Sequence, residues 1–221
     1  IALYQVLQHL HYKPVMVCAP PISRVLALRC RTHELPIENW ELSRDRVRQA
    51  LAAIQPRLAV SVERAGRTAD GRYYNMLRED ITDATAKYDI FLEECNCPSI
   101  AFGDGGNEIG MGNVRAALEE NGFTASVTTC DELVIASVSN WGVYGVIGAM
   151  AVRVGIDLFD CFDIREIADF LFANGCVDGV TRYVAPGEDG FPICTGIQIV
   201  REIRALITPH IGSSRSMHPS A

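Results

Sequence analysis

The sequence predicts an α/β protein: three layers, with a mostly parallel sheet and helices on both faces. Two observations carry that expectation. Short β-branched hydrophobic runs alternate with longer stretches of helical periodicity, and polar, glycine-marked segments recur just past the strands. With 221 residues and 48% hydrophobic content, one sizeable core can be buried, so the chain reads as a single α/β domain over 1–221. A chain that opens on Ile1 is expected to lack some N-terminal residues.

Each element follows from its local pattern. Apolar residues at helical spacing in "IALYQVLQHLHY" (1–12) predict a helix, "VMVCA" (15–19) a strand, and "ISRVLALRC" a second helix. "SRDRVRQALAAIQ" (43–55) reads as a helix capped by Ser43, followed by the strand "RLAVSVE" (57–63). "DATAKYDIFLEECN" (83–96) predicts a helix leading through Pro98 into the strand "SIAF" (99–102). Beyond a glycine-rich loop come a helix at "NVRAALEE", a strand at "LVIASVS" (133–139) and a helix rich in small residues at "VYGVIGAMAVRVG" (143–155). The final third holds helices at 163–175 and 196–206, separated by a stretch dense in turn signals.

Composition removes several function classes. A net charge of −7 argues against a nucleic-acid footprint or an anionic-membrane surface, because both need clustered basic charge. No apolar run approaches the ~20 residues of a membrane span. The basic residues are nearly all arginine, with lysine only at Lys13 and Lys87, so Schiff-base chemistry is set aside. Eight dispersed cysteines read as reduced thiols, which predicts the cytoplasm, or the mitochondrial matrix in a eukaryote. The Cys95-x-Cys97 pair is too tight for the usual zinc or redox spacings. The expected partner is a small molecule; oligomeric state is not legible.

Three segments begin at or just past predicted strand ends: "ERAGRTADGRYYNM" (63–76), "GDGGNEIGMGN" (103–113) and "SNWGVYG" (139–145). Ligands of open parallel sheets bind at those ends, so the three are expected to converge. In the glycine loop, Glu108 stands where a dinucleotide fingerprint needs its third glycine, and no lysine serves a P-loop. What remains is bare backbone around Asp104, Asn107 and Glu108, able to cradle a ligand or simply to make a tight turn capped by Asp104. The first segment supplies Glu63 with Arg64, Arg67 and Arg72; arginine forks suit a carboxylate ligand, or pin a solvated loop. The third supplies Asn140 and Trp141 at a helix start, Trp141 serving equally as core or pocket wall. Asp131 and Glu132, at the far end of their strand, read as structural. His9, His11, His33, His210 and His218 all lie outside these segments, so acid/base work falls to carboxylates.

Together with "DELVIASVSNWGVYG" (131–145) and "VDGVT" (177–181), these blocks resemble the C-terminal domain of D-glutamate cyclase and its stand-alone bacterial relatives, over about residues 57–182. The resemblance implies a lyase that converts D-glutamate to 5-oxo-D-proline with loss of water, and it assigns no catalytic residue. Ring closure needs a base for the α-amine and an acid for the leaving oxygen. Glu108 and Asp104 are the candidates, with Glu63 third. Arg64 or Arg72 would hold the α-carboxylate, and Asn107, Asn140, Gly105 and Gly106 would face the oxyanion, with Trp141 as a wall. No cofactor is expected. The alternatives are a divalent-metal hydrolase using Asp104, Glu108 and Glu63 as oxygen ligands, and a non-catalytic domain that binds an acidic amino acid.

Overall fold

A computed structural model describes residues 1–211; His218 lies outside the described residues. In chain order the elements are α1 (Ala2–His9), β1 (Met16–Cys18), α2 (Ile22–Leu26), β2 (Thr32–Glu34), α3 (Trp40–Ile54), β3 (Ala59–Val62), α4 (Asp89–Glu94), β4 (Ser99–Gly103), α5 (Arg115–Glu120), β5 (Glu132–Ile135), α6 (Ser139–Val154), α7 (Ile164–Ala173), β6 (Gly187–Glu188), β7 (Phe191–Pro192) and α8 (Ile193–Ile207). They gather into two compact units, one of residues 15–142 and one of residues 1–14 with the chain from 143 onward. The α/β class with parallel pairing holds. No single described helix is long and apolar enough to cross a membrane.

The 15–142 unit carries both parallel sheets. β1 pairs with β2, and β3-β4-β5 form a three-stranded sheet in that order. Alternation along β4 and β5 sets the two faces of the larger sheet. Phe102 and its partner Val134 lie against Gly142 in the first turn of α6, whereas Ala101 and its partner Leu133 lie against Gly110 of the glycine loop. The loop therefore folds back over one face while α6 starts on the other. A second apolar cluster joins Leu35, Val47, Ile90 and Ile109, all fully buried, with Tyr88. Ile109 belongs to the glycine loop, so burying it fastens the loop by about 1.5–3 kcal/mol.

Local details depart from the expectations in three places. The helix predicted from Ser43 begins at Trp40, where the Asn39 side chain accepts from Leu42 N; Ser43 is buried inside it. The helix expected over 83–96 is only α4, because the chain turns between residues 85 and 88 to bury Lys87. The ammonium of Lys87 donates to the carbonyls of Thr82 and Thr85 and lies 4.8 Å from the Tyr73 ring centroid. β2 was not expected: "THE" has no apolar alternation, and it forms by pairing along β1.

In the other unit, α1 packs on the turn Leu158–Cys161 and α7 packs on α8. Asp178 accepts from the backbone amides of Val180, Thr181 and Gly190, which organises the turn-rich stretch of "VDGVT". Tyr144 donates to buried Glu188, and Arg204 pairs with Asp157 and Asp160.

Candidate active site

The segments past the ends of β3 and β4 and residues 139–142 of the third meet within the 15–142 unit. Backbone bonds draw the first two together: Gly66 N donates to Asn107 O (2.8 Å), Ile109 N to Arg64 O (2.8 Å), and Ala65 bridges Glu108. The third arrives through Ser139 N, which donates to Asp104 Oδ2 at 2.8 Å.

The glycine loop is wound around Glu108. Its Oε1 accepts from Gly105 N at 2.8 Å and its Oε2 from Gly106 N at 2.7 Å, with Asp104 N more distant at 3.4 Å. Gly106 meets this carboxylate at φ +96°, a conformation that side-chain-bearing residues rarely adopt. Gly112 serves a different need, since a Cβ there would stand 2.6 Å from Val127 O and 2.7 Å from Thr128 O. Glu108 is 2% exposed. Burial raises its pKa, the nearby charge of Asp104 adds to the rise, and the backbone N–H groups oppose it.

Glu63, Asp104 and Glu108 each present a carboxylate oxygen within 4.8 Å of the others. Glu63 follows β3 at φ +53°, in the left-handed region. Ser139 stands between two of the acids: its hydroxyl donates to Glu63 Oε2 and also lies 3.1 Å from Asp104 Oδ2. A serine hydroxyl has one proton to give. That proton goes to Glu63, while Asp104 Oδ2 accepts from the N–H of the same serine at 2.8 Å, so Ser139 ties the two acids together. Ser139 is 2% exposed. Sequence reasoning passed over Ser139 in favour of its neighbours, although a serine at a strand-to-helix turn is a recognisable N-terminal signal.

The remaining candidates are placed as follows. Asn140 and Trp141 occupy the first turn of α6, half-buried, next to Ser139. Arg64 is exposed, donates to the carbonyl of Glu63 and lies 5.9 Å from the Tyr88 ring centroid. Arg72 is paired with Asp80 at 2.7 Å, and Arg67 with Glu93 at 2.9 Å. Asn107 donates from Nδ2 to Tyr74 O at 2.9 Å. Asp131 accepts from Ser99 N and Oγ, the structural role expected of it.

An anchor behind the site also escaped the sequence reading. Asp89, fully buried, accepts from Arg67 N, Tyr73 Oη and Thr128 Oγ1. It thereby joins the 63–76 segment to residues 126–128, which in turn accept and donate along the glycine loop through Ser126 N to Gly106 O and Gly112 N to Thr128 O. A lone aspartate at the start of a short helix gives no such signal in sequence.

A family model described as D-glutamate cyclase-like, C-terminal, matches residues 1–204. The Homo sapiens protein named D-glutamate cyclase, mitochondrial, is 42% identical over 101 residues, an alignment that covers 42% of this chain and 16% of that protein.

Proposed function

The chain belongs to the D-glutamate cyclase-like family, and from that premise we propose that it is a lyase that closes D-glutamate to 5-oxo-D-proline with release of water. The observation that carries the reading is the Ser139 hydroxyl shared by Glu63 and Asp104. The reaction must move two protons from the substrate's ammonium nitrogen to one γ-carboxyl oxygen. Between those transfers a C–N bond forms and a C–O bond breaks. A pair of carboxyls that holds one proton suits this traffic: the ionised member takes a proton from nitrogen and the protonated member gives one to the departing oxygen. Ser139 then passes a proton from the first to the second and restores the pair.

Glu108 acts from behind. Its carboxylate holds Gly105 and Gly106 in place and keeps Asp104 facing Ser139. Because the nucleophile and electrophile belong to one molecule, holding the substrate curled supplies a further part of the rate. Incubation with D- and with L-glutamate, followed by chiral detection of 5-oxoproline, tests the reading. Product from the D-isomer is expected, and product from neither would remove it.

A second reading has its own observation. Three carboxylate oxygens within 4.8 Å of one another suit a hard divalent cation, which would make the site a metal-assisted hydrolase. Turnover that survives exhaustive chelation separates the two in favour of the proton-shuttling pair.

A further inference from the structure

The two parallel sheets bring carboxyl ends to one place, and Arg64 stands there. From that place β1 pairs with β2 and β3 pairs with β4. Tyr88 joins the ends of β1 and β3: its hydroxyl oxygen accepts from Ala19 N, just past β1, at 2.6 Å, and its ring centroid lies 5.9 Å from the guanidinium of Arg64, just past β3. The charge of Arg64 also reaches Cys18, the last residue of β1, where it opposes the rise that burial imposes on the thiol. Open parallel sheets take their ligands at carboxyl ends where the strand connections diverge.

Arg64 is held at three points. Its carbonyl accepts from Ile109 N at 2.8 Å, its Nε donates to the carbonyl of Glu63 at 3.1 Å, and its guanidinium rests by the Tyr88 ring. Ala19, Tyr88 and Ile109 belong to one buried cluster, so the core fixes this support. The Arg64 side chain is nonetheless exposed, and with Nε engaged the fork keeps N–H groups for a ligand. Charge sets it apart from the other arginines of the 63–76 segment. Glu93 neutralises Arg67 and Asp80 neutralises Arg72, whereas Arg64 is met by an uncharged carbonyl and an aromatic ring.

We propose that Arg64 receives the substrate's α-carboxylate, and that Tyr88 is the positioning residue that holds its guanidinium beside the end of β1. The proposal rests on the acidic-amino-acid reading above and names the recognition residue that reading lacks. An α-amino acid carries an ammonium and a carboxylate on one carbon. The site offers the complement: the carboxyls of Glu63 and Asp104 for the nitrogen and, on the residue after Glu63, a guanidinium for the carboxylate. Without such a cation, three carboxyls within 4.8 Å of one another would repel a substrate that brings two carboxylates of its own.

5-Oxo-D-proline makes the test specific, because ring closure has consumed the γ-carboxyl and the α-carboxylate is its only charge. Titration calorimetry compares it with its uncharged carboxamide on the wild type, Arg64→Ala, Tyr88→Leu and Arg72→Ala. The wild type should favour the acid by about 30-fold, and Arg64→Ala by no more than about 3-fold, the loss expected for a charge-assisted fork. Tyr88→Leu should lower the preference by about 2- to 5-fold, the share of an aromatic support. Arg72 is already paired with Asp80, so Arg72→Ala should keep the preference. Comparing two ligands on each protein keeps the readout independent of any partial loss of fold. An unchanged acid preference in Arg64→Ala would overturn the assignment, as would a wild type that binds neither ligand or both alike. An unchanged preference in Tyr88→Leu would remove its positioning role. Run beside the chiral product assay, the two readings fail separately. Preference lost in Arg64→Ala without any 5-oxoproline formation by the wild type keeps the carboxylate site and sinks the cyclase, and product formation with preference retained does the reverse.

Discussion

At the scale of single residues, Ser139 and Glu108 make opposite kinds of prediction. Ser139→Ala removes the proton path between Glu63 and Asp104 while leaving both acids in place. Steady-state kinetics should show kcat falling on the order of 100-fold with KM changed by less than about 3-fold; an unchanged kcat would remove the relay. Glu108 is a stability statement. Its folded pKa is raised above the ordinary 4.5, so in the window above that value the folded state holds more protons than the unfolded one. Unfolding free energy attributable to this group therefore falls as pH rises through the window, and flattens once Glu108 is ionised in both states. Glu108→Gln should abolish that slope in denaturant titrations run across the acid range. It should also lower stability by about 1–3 kcal/mol at neutral pH, since an amide nitrogen would face the N–H groups of Gly105 or Gly106.

At the scale of elements, the loop between β4 and α5 is rigid because other backbone closes on it. Gly112→Ala would drive a Cβ into two carbonyls of the 126–128 segment, whereas Gly122→Ala, also in a loop, meets nothing within 4 Å and incurs only the strain of φ +79°. Thermal denaturation should rank Gly112→Ala as the more damaging, by about 1–3 kcal/mol. Much of this arrangement was legible beforehand. β3 and β5 announced themselves by β-branched runs and β4 by the short apolar run after Pro98, and the segments past their ends converged as parallel-sheet geometry requires, bringing Glu63 and Asp104 together. What was not legible depends on distant closure. The pairing of "THE" as β2 and the role of Asp89 arise from partners many residues away, whereas the break in the helix expected over 83–96 accompanies the local turn that folds Lys87 onto the carbonyls of Thr82 and Thr85. The same limit explains the arginines: a fork shows its charge in sequence but not its neighbour, so Arg72 gave no sign of its pairing with Asp80, nor Arg67 of its pairing with Glu93.

At the scale of the whole molecule, the eight cysteines decide whether thiol chemistry competes with the carboxylate reading. All eight are free. Burial pushes the thiol of Cys18 up to about 11 and raises those of Cys30 and Cys130, so at neutral pH they are held as thiols, the unreactive form. Cys130 also sits where it braces the glycine loop, its sulfur 2.9 Å from the position of a Gly110 Cβ, and it donates to Glu132 O. Cys194, by contrast, is exposed. Brief alkylation of the native protein should therefore label Cys194 first and leave Cys18, Cys30 and Cys130 unmodified by peptide mass mapping, with turnover intact. Prolonged alkylation that reaches Cys130 should abolish turnover together with the folded baseline, because the adduct has no room beneath the loop. Loss of turnover while only Cys194 is labelled would point to a thiol in the chemistry and away from the Glu63–Ser139–Asp104 array.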